Sequence, residues 1–339
     1  MKFVSYEHNK TDRVGLLIKN KIYDLENCSS KLGKQLPSTM GEFLKGEDEN
    51  MNIARTLETE IKNGGEFESI ELNDVKLLAP VPHPTSCRDG YAFRQHVATA
   101  RRNRGVDMIP EFDQFPIFYL TNHNAIFGGG DIFLEKDHFE KLDFELEAAV
   151  VIGKRGKNIS AKEADKYIAG YMVMNDLSAR RLQMEEMKLN LGPAKGKDFA
   201  TTIGPWLVTP DELEKFKIET DSENKYNLRM TAFHNGKQVS DGNMKDMNWS
   251  FAEIIERASY GVELIPGDVI GSGTVGSGCY LELNGTWAIE AKEKNEEFTP
   301  IWIQTGDTME LEIEGLGRLK NRLILSNNDY SILAKKKNV

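Results

Sequence analysis

Glu145 and Glu147 sit two residues apart in FELEAAVVIG, a run of strand-forming residues. Alternate side chains of a strand share a face, so both carboxylates point the same way, roughly 7 Å apart along the backbone. Phe144, Leu146 and Ala148 take the opposite face and can enter a core. Two like charges on a buried strand repel unless a cation lies between them. The pair therefore reads either as half of a metal site or as a solvated strand face. Further along, YMVMND is a second short apolar run, and it ends on Asp176. Upstream, Pro82, Pro84 and the turn pair Asp89-Gly90 mark a loop. The stretch from Tyr91 through Arg104 lacks internal Pro and Gly and predicts a helix, with Asp89 just before it and Tyr91 and His96 on its first turns. A lone His is more often a packed residue than a catalyst. Joined to Glu145, Glu147 and Asp176, however, Asp89 suggests an all-oxygen site of the kind Mg²⁺, Mn²⁺ or Ca²⁺ prefers. No His or Cys spacing suggests zinc.

These fragments, with others in a fixed order, resemble the fumarylacetoacetate hydrolase family from about Pro80 to Leu323. Asp89-x-Tyr91 with Arg94-Gln95-His96 resembles its first metal ligand and catalytic histidine. Phe144-Glu145-Leu146-Glu147 resembles its paired-glutamate strand, and Asn175-Asp176-x-Ser178-Ala179-Arg180 its fourth ligand and the following helix. Gly196-Lys197-x-Phe199-x-Thr201-Thr202 resembles its lysine loop. Pro266-Gly267-Asp268, Gly271-Ser272-Gly273-Thr274, Thr305-Gly306-Asp307 and Glu314-Gly315-Leu316-Gly317 complete the pattern.

The resemblance implies a site in which Asp89, Glu145, Glu147 and Asp176 hold Mg²⁺ or Ca²⁺, with Mn²⁺ an alternative. It makes His96 the general base and Glu282 its carboxylate partner, although Glu282 alone would read as an exposed strand glutamate. Lys197 is placed to meet a developing carbanion, and Gln183, one helical turn beyond Arg180, to donate to substrate. Arg180 supports the metal-site geometry or pairs with an acid at the surface. Tyr91, Thr274 and Tyr119 are expected against the substrate, although a Tyr in an apolar run such as PIFYL is more often a core residue. A homodimer is also implied.

The expected reaction is metal-dependent hydrolysis of a carbon–carbon bond in a β-diketo acid, with fumarylacetoacetate leading and tyrosine breakdown as its setting. Glu282 and the insertion Asn284 to Pro300 favour this branch. Against it stand Met187, where the hydrolases often carry a tyrosine, and the lack of a clean counterpart for an arginine after the histidine. Acylpyruvate hydrolysis and 2-oxo-acid decarboxylation or isomerisation are the alternatives. A non-catalytic metal-binding scaffold is the other class.

The elements that must position these residues are legible in outline. Short strand-like pieces (Met1 to Tyr6, Arg13 to Asp24) and a helix from about Ile53 to Asn63 suggest a small α+β domain over residues 1–76. Short apolar runs split by Gly-Asp, Asn-Gly and Pro-Gly turns then predict a mostly antiparallel β catalytic domain over 77–330. The fold class is thus α+β, mostly β, with the family's mixed β-sandwich or roll. Helices are predicted at Ala161 to Ala169, capped by Ser160 and Glu163, and at Phe251 to Ser259. Residues 331–339 read as a flexible tail.

At 339 residues the chain can bury a full core, and a formal net charge of −10 argues against nucleic-acid or anionic-membrane partners. Three cysteines make no paired framework, and no apolar run approaches membrane length, so a cytoplasmic protein is expected.

Overall fold

The computed structural model describes residues 1–220 and 223–335. Among them lies a 12-stranded sheet. Leu146–Ile152 lies near its middle, antiparallel to Ile168–Asp176 on one side and to Val269–Gly271 on the other. Val269–Gly271 pairs in parallel with Cys87–Gly90, which pairs with Phe118–Thr121. On the opposite flank Ile168–Asp176 pairs with Thr201–Val208, and Thr201–Val208 pairs with Lys2–His8. The hairpin strands Thr11–Ile18 and Lys21–Asp24 therefore extend the same sheet as the site strands.

Both faces of this sheet are covered, which explains why Leu146–Ile152 is apolar at nearly every position rather than alternating. Leu146, Ala148 and Val150 pack toward a second, five-stranded sheet that includes Arg229–His234, Thr308–Ile313 and Gly317–Leu325. Ala149 and Val151 face the other way, into a core that the helices Leu25–Lys31, Met40–Lys45 and Glu47–Lys62 complete. Glu147 is thus a carboxylate inside a two-sided core, and the solvated-face reading does not hold.

Several local expectations shift. The helix Phe251–Ser259 has its predicted bounds, and Ser250 and Glu253 form a reciprocal capping box at its start. The helix expected from Ala161 to Ala169 stops at Ala164 and passes through a 3₁₀ turn at Asp165–Tyr167. From Ile168 the chain enters the sheet, because pairing with Leu146–Ile152 outweighs local helical preference. Ser160 makes no side-chain cap there. The helix after Asp89 is shorter than expected, spanning Arg94–Arg102. In the expected tail, the backbone N–H groups of Ile332 and Leu333 donate to Asp137, while residues 336–339 lie outside the described residues. No helix among the described residues is long and apolar enough to cross a membrane.

Candidate metal and proton-transfer site

Three strands deliver the four carboxylates. Asp89 comes from Cys87–Gly90, Glu145 from the break just before Leu146–Ile152, Glu147 from within that strand, and Asp176 from the end of Ile168–Asp176. Ligand oxygens of all four lie within 4.8 Å of one another, and all four residues are buried. Glycine makes the convergence possible. A Cβ at Gly271 would come within 2.6 Å of Asp89 Oδ1 and 2.9 Å of Glu147 Oε2. Gly273, at φ +79°, turns its N–H so that it donates to the same two oxygens at 3.1 Å each.

The cluster holds more acid than its neighbours neutralise. Lys197 Nζ donates to Glu145 Oε2 at 2.5 Å and to Asp176 Oδ2 at 2.6 Å. Arg180 is fully enclosed; its Nε donates to Asp143 Oδ2 (2.8 Å) and its Nη2 to Glu145 Oε1 (2.7 Å). Burial works against ionisation of Glu145, but Lys197 and Arg180 outweigh it and bring its carboxyl down to about 2. Asp89 and Glu147 face the opposite balance. Burial, then the charge of Asp176 for Asp89 and of Asp89 for Glu147, pushes both well above the usual carboxylate range. They hydrogen-bond to each other, and such a carboxyl pair holds together by keeping a proton. Asp176 Oδ1 is buried and has no hydrogen-bond partner among the described residues. An all-oxygen donor set, an excess of buried negative charge and an orphaned carboxylate oxygen fit a hard dication.

The remaining expected residues gather around this cluster. His96 Nδ1 lies 2.7 Å from Glu282 Oε2, with both side chains buried. Glu282 is not on a strand: it sits in the first turn of the helix Tyr280–Lys294, and most of the insertion read from Asn284 to Pro300 continues that helix. Glu282 Oε1 accepts from the backbone N–H of Ser277 (2.9 Å), and Asn103 Nδ2 donates to the Glu282 carbonyl (2.8 Å). Tyr91 meets the His96 ring edge-on at a centroid separation of 5.9 Å. Thr274 reaches Glu147 through its hydroxyl at 3.4 Å. The Tyr119 hydroxyl donates to Asp176 Oδ2 at 2.5 Å, so this residue belongs to the site and not to the general core. Gln183 Oε1 accepts from Arg180 Nη1 (2.9 Å), and its backbone lies where a Cβ on Gly196 would be, 2.6 Å away.

The loop bearing Lys197 is held from outside by Phe199, which stacks on His138 at 4.1 Å. Burial, then the charge of Lys195, brings His138 down to about 4, so that ring is neutral and apolar in character near pH 7. Tyr119 and Lys197, with Pro193 and Ala194, line an opening of about 300 Å³ beside the cluster.

Sequence reasoning passed over Asp143, which anchors Arg180 and also accepts from the backbone N–H groups of Tyr280 and Leu281. The signal was present: Asp143, Glu145 and Glu147 continue one strand period. Ser277 and Asn103 left no such trace, since each acts on Glu282 only through the folded chain.

Comparison with known proteins adds to this geometry. Residues 85–324 match the family model described as fumarylacetoacetate (FAA) hydrolase C-terminal. The chain is 32% identical to the Bacillus subtilis (strain 168) oxaloacetate tautomerase YisK, covering 95% of this chain and 100% of that protein. It is 30% identical to the fumarylacetoacetate hydrolase domain-containing protein 2 homolog of Dictyostelium discoideum, covering 95% of this chain and 97% of that one. Among solved structures, maleylpyruvate hydrolase from Sphingobium sp. SYK-6, in complex with manganese(II) and pyruvate, superposes with a TM-score of 0.67 at 19% identity, covering 96% and 100% of the two chains.

Proposed function

Because the chain belongs to the fumarylacetoacetate hydrolase family, we propose that it is a divalent-metal-dependent isomerase of 2-oxo acids, interconverting the keto and enol forms of a small dicarboxylate such as oxaloacetate. The observation that carries this reading is the buried His96–Glu282 pair beside the four-carboxylate cluster. Its support in sequence is the near-full-length similarity to an oxaloacetate tautomerase. The weight that Glu282 lent to hydrolysis falls away, because a carboxylate-backed imidazole moves a proton from carbon as readily as from water.

Asp89, Glu145, Glu147 and Asp176 would hold the dication, Mg²⁺, Mn²⁺ or Ca²⁺. When bound, it supplies a Lewis acid toward the 2-oxo oxygen. Glu282 accepts from Nδ1–H of His96, which leaves Nε2 with its lone pair free for substrate. Nε2 takes the proton from C3 as the C3–H bond breaks, the electron pair moves toward C2, and Glu282 stabilises the imidazolium. The same proton returns to the oxygen at C2, so keto acid becomes enol with no atoms gained or lost. Lys197 stays protonated, since Asp176 and Glu145 outweigh the effect of its burial, and its field favours negative charge on the substrate. Arg180, fixed between Asp143 and Glu145 and paired with Gln183, keeps Glu145 aimed at the cluster. Tyr91, Tyr119 and Thr274 border the substrate space. A homodimer is part of the proposal, carried by the family resemblance alone.

Hydrolysis of a β-diketo acid, with fumarylacetoacetate foremost, is the second reading, supported by the match of residues 85–324 to the FAA hydrolase C-terminal family model. There His96 would deprotonate water, the resulting hydroxide would attack the acyl carbon, and the C–C bond would break. Offering oxaloacetate, an acylpyruvate and fumarylacetoacetate side by side in ¹⁸O-enriched water separates the two. The expected result is fast enol–keto interconversion of oxaloacetate with little turnover of the diketo acids. Rapid release of ¹⁸O-labelled carboxylic acid from fumarylacetoacetate, with oxaloacetate unaffected, would replace the first reading by the second.

A further inference from the structure

Beside the carboxylate cluster lies a second group of ligand-bearing side chains with a different chemistry. His96, Cys279 and Glu282 are all buried, and a ring nitrogen, the sulfur and a carboxylate oxygen lie within 4.8 Å of one another. His96 comes from the helix Arg94–Arg102. Cys279 is the N-cap of the helix Tyr280–Lys294, and Glu282 lies in its first turn. Proton transfer uses His96 and Glu282 but gives Cys279 no task.

We propose that His96, Cys279 and Glu282 form a binding site for a zinc-class dication, separate from the carboxylate cluster, and that its occupation switches the enzyme off. Thiolate and imidazole are ligands that zinc favours, whereas the neighbouring all-oxygen set suits Mg²⁺, Mn²⁺ or Ca²⁺. Charge also balances: a thiolate and a carboxylate neutralise one dication, which a buried group requires. On binding, Cys279 releases its thiol proton to solvent and a metal–sulfur bond forms. The His96–Glu282 hydrogen bond gives way as both side chains turn to the ion. Tetrahedral zinc ligands stand roughly 3.3 to 3.8 Å apart, so side-chain rotations complete the site without backbone rearrangement. Local sequence spacing could not reveal it, because the histidine and the cysteine come from distant parts of the chain.

The binding claim stands on these three residues alone, and the inhibitory claim rests on His96 being the base. Protein kept in excess Mg²⁺ would be titrated with Co²⁺ as a spectroscopic substitute for zinc, alongside Cys279→Ser. The expected result is a thiolate-to-cobalt charge-transfer band in the near ultraviolet that saturates at one equivalent, is displaced by Zn²⁺ and is missing in Cys279→Ser. Zn²⁺ should inhibit the unsubstituted enzyme at a concentration at least about tenfold lower than it inhibits Cys279→Ser, whose activity in Mg²⁺ alone should be unchanged. No band, or a band that survives Cys279→Ser, overturns the site. A Cys279-dependent band with full activity upholds the site and overturns the inhibition, and with it the role of His96.

Discussion

His96→Ala is expected to lower enol–keto turnover of oxaloacetate by about 10²- to 10⁴-fold, the usual contribution of a positioned general base. The ring is held by one 2.7 Å hydrogen bond from Nδ1 to Glu282, and Glu282 is itself fixed by Ser277 and Asn103. Removing the imidazole deletes the proton acceptor but leaves the carboxylate cluster and its access opening intact. The loss should therefore fall on kcat with KM little changed, and metal-induced thermal stabilisation should persist. Glu282→Gln is expected to lose less. Its amide oxygen can still accept from Nδ1–H, but it no longer carries the charge that stabilises the imidazolium formed during proton transfer. Full turnover by both variants would remove His96 and Glu282 from the chemistry.

The second large effect concerns Glu147, which has no exposed surface and accepts from Gly273 N–H. Glu147→Ala should abolish the stabilisation that a dication confers, a loss of about 2.7 kcal/mol at an ion concentration of 100 times the dissociation constant. Turnover should fall with it. Without metal the sign reverses, because one of four crowded carboxyls is gone, and the variant should melt above the unsubstituted metal-free protein. The same crowding sets a pH dependence. Asp89, Glu147 and Asp176 have carboxyls raised in the folded state, chiefly by burial, so the native protein holds protons that the unfolded chain releases near pH 4. Metal-free stability should then decline as pH rises from about 4 toward about 8, the value to which Asp89 is pushed. A saturating dication should flatten that slope. Melting curves in chelator and in Mn²⁺ across this range would show it. A Tm indifferent to both metal and pH would contradict the cluster's assignment.

How much of this was legible in sequence depended on distance along the chain. Glu145 and Glu147 are local, and strand period alone put them side by side. Their two-sided burial was not read from sequence, which left a solvated face open, although the unbroken apolar run after them carries that signal. Glu282 misled because YLEL alternates like a strand, yet the stretch continues through Trp287 and Ala288 to Lys294 as one helix. Helical geometry is what turns Glu282 inward onto His96, 186 positions away. Ala161 to Ala169 failed in the opposite sense, where the sheet claimed Ile168 and Ala169. The strand-like pieces of residues 1–76 were recognisable as strands, but no local pattern announces that Lys2–His8 pairs with Thr201–Val208. The order of motifs carried the family, whereas Met187 and the group Arg101, Arg102 and Arg104 after His96 depart from the hydrolase pattern at positions expected to touch substrate.

The most direct measurement follows the absorbance of enol oxaloacetate as it converts to the keto form, comparing protein stripped by chelator with the same protein reloaded with Mn²⁺ or Mg²⁺. Stripped protein should show a decay no faster than the uncatalysed one, reloading should restore the fast decay, and Glu147→Ala and His96→Ala should show no such recovery. Enol decay that is equally fast with and without the dication, or uncatalysed under both conditions, would contradict a metal-dependent 2-oxo-acid isomerase built on these four carboxylates and His96.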